Sequence, residues 1–113
     1  MELKEQIRKI TDALDDRKGH EIKVLLVSEV SSVCDAFIIV SGGSPSHLEA
    51  LCDSAEECMR VNEIPLRNRE GRADGGWILL DYEGVVVHIF SDEMREFYDL
   101  EHTWRDADIF NPA

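Results

Sequence analysis

Residues 76–104, GWILLDYEGVVVHIFSDEMREFYDLEHTW, decide the fold, because two apolar runs and a charged amphipathic segment follow one another there. The runs at 77–80 and 85–90 flank the polar residues 81–84, where Gly84 is expected to take the positive φ of a tight strand reversal. They predict two neighbouring antiparallel strands. Ser91 or Asp92 then caps a final helix, one face of which is expected to carry Met94, Phe97, Tyr98 and Glu101.

Helices and strands also alternate upstream of this block. Apolar residues recur at helical spacing from Leu3 to Leu14 and predict an amphipathic helix that ends near Gly19. Residues 21–27 and 36–40 predict two strands, and the second is expected to be covered on both faces because it lacks polar alternation. Ser44 as N-cap and Pro45 at the first helical position predict a second helix. Its buried stripe is expected to consist of Leu48, Leu51, Cys52, Ala55 and Met59.

The remaining segments complete an α/β architecture. Residues 65–69 predict an edge strand, since Pro65 cannot donate to a central ladder, while residues 70–76 predict a mobile loop. A polar loop passes through 31–32, and the tail at 103–113 is expected to be irregular. The element order α-β-β-α-β-β-β-α predicts a mixed sheet of about five strands with helices packed on its faces. At 113 residues the chain is expected to form a single domain, residues 1–113.

The strong acidity of the chain limits the classes of molecule that it can bind. There are 24 acidic and 12 basic residues, which give a formal net charge of −12. This charge repels phosphate backbones and excludes free nucleic acid as a partner, whereas a surface rich in Lys and Arg would be attracted. The alternative is that the charge only maintains solubility. The apolar runs are shorter than the ~20 residues that cross a bilayer, and MELKEQIRKI has no signal-peptide core, so we expect a cytoplasmic protein without membrane contact.

The cysteines and histidines do not predict a metal centre. Cys34, Cys52 and Cys58 show no C-x-x-C spacing and are expected to be reduced and buried. The spacing between Cys52 and Cys58 places them apart around a helix, so we expect neither a metal site nor a cofactor. His88 is expected to be a hydrogen-bonded structural residue, and His47 to face solvent.

The most enzyme-like feature is the turn SGGS at residues 41–44, which lies between a strand and a helix and could hold an anion. Nucleotidyl-transfer enzymes use a similar turn but also need paired carboxylates for two metals. Glu49 and Asp53 lie on the helix, and Asp81 has no partner at an alternate strand position. Catalysis is therefore not expected. A nucleotide- or metabolite-binding domain that uses the Gly42-Gly43 turn remains the alternative function.

The first strand of the hairpin offers a candidate contact face. Trp77, Leu79 and Asp81 project to one side of this strand, and the residues between them project to the other. One side of the strand can pack against the core while the other side remains available for a partner. Tryptophan is enriched among binding hot spots, although many tryptophans in small domains fill the core. The sequence favours binding over catalysis.

Residues 76–82, 85–90 and 95–101 together resemble the ribosomal silencing factor family, also called Iojap-like. Residues 35–42, DAFIIVSG, and Glu70-Gly71 are similar to other blocks of that family. The resemblance covers nearly the whole chain, from the first helix through Asp106. It implies a small α/β domain with a nucleotidyltransferase-like core that lacks the catalytic acids, and therefore no enzyme activity.

The resemblance also implies a partner and a site. Members of the family bind the large ribosomal subunit through ribosomal protein number fourteen and block joining of the small subunit. The chain is thus expected to repress translation by steric exclusion, chiefly under nutrient limitation, and to form a homodimer as a further partnership. By position, Trp77 matches the exposed hairpin tryptophan of the contact, and Leu79 and Asp81 share its face. Tyr98 and Glu101 match the last helix and are inferred to join the protein-binding site.

Overall fold

The computed structural model describes residues 1–28, 30 and 34–111 of the chain. Within these residues, helices and strands follow one another in the α/β order that the sequence predicts. None of the helices in this part of the chain is long and apolar enough to cross a membrane. The elements are α1 (Leu3–Asp16), β1 (His20–Leu26), β2 (Ala36–Gly42), α2 (Pro45–Val61), β3 (Asn68–Arg72), a 3-10 helix (Ala73–Gly75), β4 (Trp77–Asp81), β5 (Val85–Ser91), α3 (Asp92–Tyr98), α4 (Leu100–Thr103) and β6 (Asp108–Ile109).

The strands form one mixed sheet in the order β3-β4-β5-β2-β1-β6. The central strands β2 and β5 run parallel, and the other neighbouring pairs are antiparallel. The segment from α2 to β4 connects the two parallel strands. The prediction of a mixed sheet with helices on its faces is confirmed, with β6 as a sixth strand. The similarity of the core to nucleotidyltransferases stays a prediction.

The two faces of the sheet are covered unequally. Helices α1 and α2 pack on one face and bury a large aliphatic core that includes Ile38, Leu80 and Ile89. On the other face, Phe37, Ile39 and Phe90 are covered by partly exposed residues of β4 and the C-terminal segment. Every residue of β2 is buried, which confirms that this strand is covered on both sides. The second face is the thinner one, and the residues that cover it are partly exposed.

Both predicted helix caps are confirmed. The Ser44 hydroxyl accepts a hydrogen bond from the His47 N–H at 3.1 Å, and Pro45 occupies the first helical position of α2. The predicted stripe of α2 is fully buried. The Ser91 hydroxyl accepts from the Met94 N–H at 3.2 Å and begins α3. Short-range hydrogen bonds of this kind depend only on neighbouring residues, which is why the sequence predicts them well.

The hairpin between β4 and β5 forms as predicted, but the expected positive φ at Gly84 is wrong. Glu83 has the positive φ, at 75°, and the Gly84 N–H donates to the Tyr82 carbonyl at 3.0 Å. This hydrogen bond closes a three-residue turn, whose central residue has the positive φ of a γ-turn. The Asp81 carboxylate supports the turn by accepting from the Glu83 N–H at 2.8 Å.

The predicted loop at 70–76 is also wrong, because its first residues extend the edge strand. Strand β3 runs from Asn68 to Arg72, is exposed throughout and, among the described strands, pairs with β4 alone, which confirms the edge position predicted for 65–69 while shifting its bounds. Gly71 lies inside this strand at a φ of 85°, and a Cβ there would collide with the Trp77 carbonyl oxygen. The remaining residues form the 3-10 helix. The close approach of the β3 and β4 backbones, rather than a need for mobility, explains why residue 71 is glycine.

The final helix is shorter than predicted. It ends at Tyr98 because Asp99 takes a left-handed φ of 49°, so Glu101 lies in the separate helix α4. The tail is not irregular throughout, since β6 pairs with β1 and the Phe110 N–H donates to the Val24 carbonyl at 3.0 Å. The predicted loop at 31–32 and the tail residues 112–113 lie outside the described residues.

Candidate functional site

Three aromatic side chains on the thinner face form the candidate site, and we call them the aromatic patch: Trp77, Phe97 and Tyr98. Trp77 is half-buried, whereas Tyr98 is 40% and Phe97 74% exposed. The Trp77 and Tyr98 ring centroids are 4.3 Å apart, and the Phe97 ring meets Tyr98 edge-on at 5.2 Å. Strand β4 supplies the indole and α3 supplies the other two rings, so the patch joins two elements that are distant in sequence.

The aromatic patch rests on two residues of β5. The Phe90 ring stacks against Trp77 at 5.2 Å, and the His88 ring lies 5.8 Å from the indole. The Trp77 Nε1–H donates a hydrogen bond to His88 Nδ1 at 3.2 Å. The inner edge of the indole is therefore fixed to the sheet, and part of the ring remains exposed beside Tyr98.

His88 is buried and neutral. Its side chain lies among aromatic rings, with Phe37 edge-on at 4.9 Å, and burial lowers the pKa of His88 to about 4. A neutral ring that accepts at Nδ1 carries its proton at Nε2. That nitrogen is buried and has no hydrogen-bond partner among the described residues. The prediction of a hydrogen-bonded structural histidine is confirmed.

The low pKa of His88 predicts an acid-labile fold. The folded pKa of about 4 lies below the ordinary 6.5, so the unfolded chain binds a proton between these values that the folded chain does not. The contribution to stability is complete above pH 6.5 and is lost as the pH falls through 4. Between pH 7 and 4.5, we expect the wild type to lose about 2 to 3 kcal/mol more unfolding free energy than His88→Asn. Urea unfolding of both proteins at both pH values measures this difference in unfolding free energy. Equal losses in the wild type and in His88→Asn would contradict the expectation.

The other residues predicted on the Trp77 strand occupy different positions. Leu79 is half-buried and lines a cavity of about 210 Å³ together with Trp77, Glu70 and Gly71. Asp81 lies four residues from Trp77, which is about 13 Å along a strand. One of its carboxylate oxygens already binds the hairpin turn. Leu79 thus extends the aromatic patch, and Asp81 stands at the far end of β4.

Glu101 belongs to an internal ion-pair network. Its carboxylate accepts from Arg95 Nε at 2.9 Å and pairs with Lys23 Nζ at 3.2 Å, while Arg95 Nη1 donates to the Ser41 hydroxyl at 2.9 Å. Burial raises the pKa of Glu101, but the hydrogen bond and charge of Arg95, joined by those of Lys23, outweigh it and lower this pKa overall. Glu101 is therefore engaged in holding α4 against α3 and β1.

The sequence prediction did not place Phe97 in the protein-binding site, although it is the most exposed member of the aromatic patch. The signal was a pair of adjacent aromatics among charged neighbours in REFYD, because a short amphipathic helix cannot bury both rings on its one apolar face. Exposed carboxylates lie on the same helix and at its C-cap. They form an acidic rim along α3, which consists of Asp92, Glu93, Glu96 and Asp99. Three of these residues line a cavity together with His20, and Asp92 accepts a hydrogen bond from His20 Nε2 at 2.9 Å.

The Gly42-Gly43 turn is poorly suited to an anion. The Gly43 N–H donates to His47 Nδ1 at 3.0 Å, and His47 Nε2 donates to the Arg17 carbonyl at 2.8 Å, so the expectation that His47 faces solvent is wrong. The cavity at this turn has a volume of about 430 Å³. Its lining includes three carboxylates, Asp74, Asp92 and Glu93. They would repel a phosphate group.

The cysteines are free thiols. Cys34 and Cys52 are buried and Cys58 is half-buried. Burial raises the pKa of Cys34 to about 11 and that of Cys52 to about 12, so both stay protonated at neutral pH. Among the residues that the structure describes, no group of three or more potential ligands is positioned to hold a metal ion.

The sheet, its helices and the aromatic patch define a small mixed-sheet α/β protein. The chain belongs to the ribosomal silencing factor family, since the family profile described as ribosomal silencing factor during starvation matches residues 1–112.

Individual relatives agree with this membership. The ribosomal silencing factor RsfS of Halalkalibacterium halodurans is 30% identical over 107 residues, which cover 95% of this chain and 92% of the relative. A mouse protein named mitochondrial assembly of ribosomal large subunit protein 1 is 28% identical over 84% of this chain and 43% of its own length. A crystal structure of a Chromobacterium violaceum protein superposes with a TM-score of 0.88 at 32% identity, covering 92% of this chain and 87% of that one.

Proposed function

We propose that the protein represses translation by binding the large ribosomal subunit through the aromatic patch. The observation that carries this proposal is the exposure of Phe97 and Tyr98 next to a half-buried Trp77, on a helix that also carries the acidic rim. An apolar centre with a polar rim is the usual anatomy of a protein-binding surface. Membership of the ribosomal silencing factor family supports the ribosome as the target, and the mouse relative is named for the large subunit.

The proposed partner on the large subunit is ribosomal protein number fourteen, at the surface that the small subunit must approach. A specific complex buries roughly 800 Å² on each partner. A protein seated there excludes the small subunit by its volume alone, so the mechanism needs no catalytic group. We accordingly propose that the protein is not an enzyme and that it acts chiefly when nutrients are limiting.

Charge gives the complex its orientation. The acidic rim and the formal net charge of −12 attract Lys and Arg side chains of a ribosomal protein and repel the surrounding RNA. Arg95, the one basic residue of α3, is buried and pairs with Glu101, while His20 of β1 contacts the rim residue Asp92. Specificity comes from the aromatic patch, because exposed ion pairs contribute little affinity of their own.

Sedimentation with purified ribosomal subunits tests the proposal. The protein is expected to comigrate with isolated large subunits at low salt, to dissociate as salt rises, and to slow formation of whole ribosomes when small subunits are added. Comigration with small subunits alone, or failure to bind large subunits at low salt, would sink the proposal. Magnesium with nucleotides tests the alternative at the Gly42-Gly43 turn, since only a nucleotide-binding domain gains thermal stability from them.

Phe97→Ser is expected to weaken large-subunit binding without loss of fold stability. The ring is 74% exposed, so its removal changes the unfolding free energy by less than about 0.5 kcal/mol. Loss of an aromatic contact in the interface weakens binding roughly five- to thirtyfold. Val61→Ser is the matched control, because Val61 is 64% exposed at the end of α2. Equal binding by both variants would exclude Phe97 from the contact.

A homodimer is the second partnership that we propose. If two copies associate through the aromatic patch, self-association and ribosome binding compete for the same side chains. Variants at Trp77 then become more monomeric as they lose ribosome binding. Analytical ultracentrifugation distinguishes this arrangement from a dimer formed elsewhere, in which a Trp77 variant stays dimeric.

A further inference from the structure

The indole of Trp77 is held from within the molecule by one polar contact. Its Nε1–H donates to His88 Nδ1 at 3.2 Å across the β4–β5 pair, where Trp77 is paired with Phe90 and Leu79 with His88. The imidazole is itself confined, with the Phe37 ring edge-on at 4.9 Å and the Phe90 ring parallel to it at 6.0 Å. The acceptor therefore has a fixed position in the sheet.

A fixed acceptor has two effects on the exposed part of the indole. The hydrogen bond favours one side-chain conformation of Trp77, so less rotational freedom is lost when a partner binds. It also satisfies the only polar group of the ring internally. The partner therefore meets carbon atoms and a π face, and it needs an apolar socket or a cation above the ring rather than a hydrogen-bond acceptor.

We propose that His88 is a positioning residue whose Nδ1 acceptor holds the Trp77 indole in the orientation that the ribosomal partner recognises. This inference rests on the proposed function of the aromatic patch. His88 does not touch the partner, because its side chain is buried beneath the patch. Its effect on binding passes through the indole alone.

The competing explanation is that His88 only fills space between Phe37, Phe90 and Trp77. Asparagine and leucine separate the two explanations, because their side chains have nearly the same shape and only asparagine can accept a hydrogen bond. If His88 fills space, His88→Leu is as stable as His88→Asn or more stable, and both bind equally. If His88 positions the indole, His88→Asn keeps most of the binding that His88→Leu loses.

The test measures large-subunit binding and the indole N–H signal of Trp77 in both variants. We expect His88→Leu to bind about fivefold more weakly than His88→Asn, the effect of one neutral hydrogen bond. In His88→Leu, the Trp77 indole N–H resonance should shift and exchange faster with solvent, and Trp77→Phe identifies this resonance. Equal binding and unchanged N–H signals in the two variants overturn the inference.

A measurement on the wild type covers the case in which a variant fails to fold. Nitrogen-15 NMR of the imidazole reports which nitrogen carries the proton, and the inference requires the proton on Nε2. A proton on Nδ1 overturns the inference while leaving ribosome binding intact. Failure of the wild type to sediment with large subunits overturns the proposed function instead, so the two failures are distinguishable.

Discussion

Trp77→Ala is expected to weaken binding to the large ribosomal subunit by about 2 to 4 kcal/mol, a loss of roughly thirtyfold to nearly a thousandfold in affinity. The indole packs against Tyr98 at 4.3 Å and Phe90 at 5.2 Å, so its loss removes the largest ring of the aromatic patch and the contact that joins Tyr98 to the sheet. Sedimentation or biolayer interferometry with purified large subunits measures the change.

The half-buried position of Trp77 means that the alanine variant also loses some fold stability. Ile78→Val is the matched control, since Ile78 is the next residue of β4 and is buried against the helical layer. This control is expected to cost about 1 kcal/mol of unfolding free energy and to bind large subunits normally. A Trp77→Ala protein that is folded and binds as well as this control would exclude the aromatic patch as the docking site.

Arg95→Ala is expected to lower the unfolding free energy by about 2 kcal/mol, because it removes a buried guanidinium that binds a partly buried carboxylate and a buried hydroxyl. The side chain of Arg95 is 8% exposed, and its guanidinium binds both Glu101 and the buried hydroxyl of Ser41. Truncation leaves the hydroxyl without this donor and removes the side-chain link between α3 and Glu101 of α4. Urea or thermal unfolding at neutral pH measures the loss.

Lys23→Ala provides the comparison for Arg95→Ala. Lys23 pairs with the same carboxylate at 3.2 Å, but its side chain is 50% exposed, and exposed pairs contribute less than about 1 kcal/mol. Equal destabilisation by the two variants would show that the burial of Arg95 adds nothing. A large loss of unfolding free energy confined to Arg95→Ala would show that the contact between Arg95 and Glu101 stabilises the fold. Glu101→Gln should then affect stability more than ribosome binding.

Features set by neighbouring residues could be predicted from the sequence. The caps at Ser44 and Ser91 depend on a side chain and an N–H three residues away. The two faces of β4 follow from the alternation of a strand, so Ile78 and Leu80 are buried while Trp77 and Leu79 are half-buried.

Features set by distant residues could not be predicted in this way. The helix break at Asp99 lets the Glu101 carboxylate contact both Arg95 and Lys23. The spacing of these three residues in the sequence does not predict an ion pair. The sixth strand exists because Asp108 and Ile109 pair with β1, more than eighty residues earlier in the chain. The hydrogen bond between Trp77 and His88 likewise depends on the register of two strands.

The position of Phe110 against the first helix shows where the protein can be attached to a sensor surface. Its ring lies 5.7 Å from Lys4 Nζ and 5.9 Å from the Arg8 guanidinium carbon, and it packs against the core beneath α1 and α2. Residues near either end of the described chain thus sit on the side of the sheet opposite the indole. An affinity tag or fluorophore joined there lies on the opposite side of the sheet from the aromatic patch, so immobilisation does not cover the proposed docking surface.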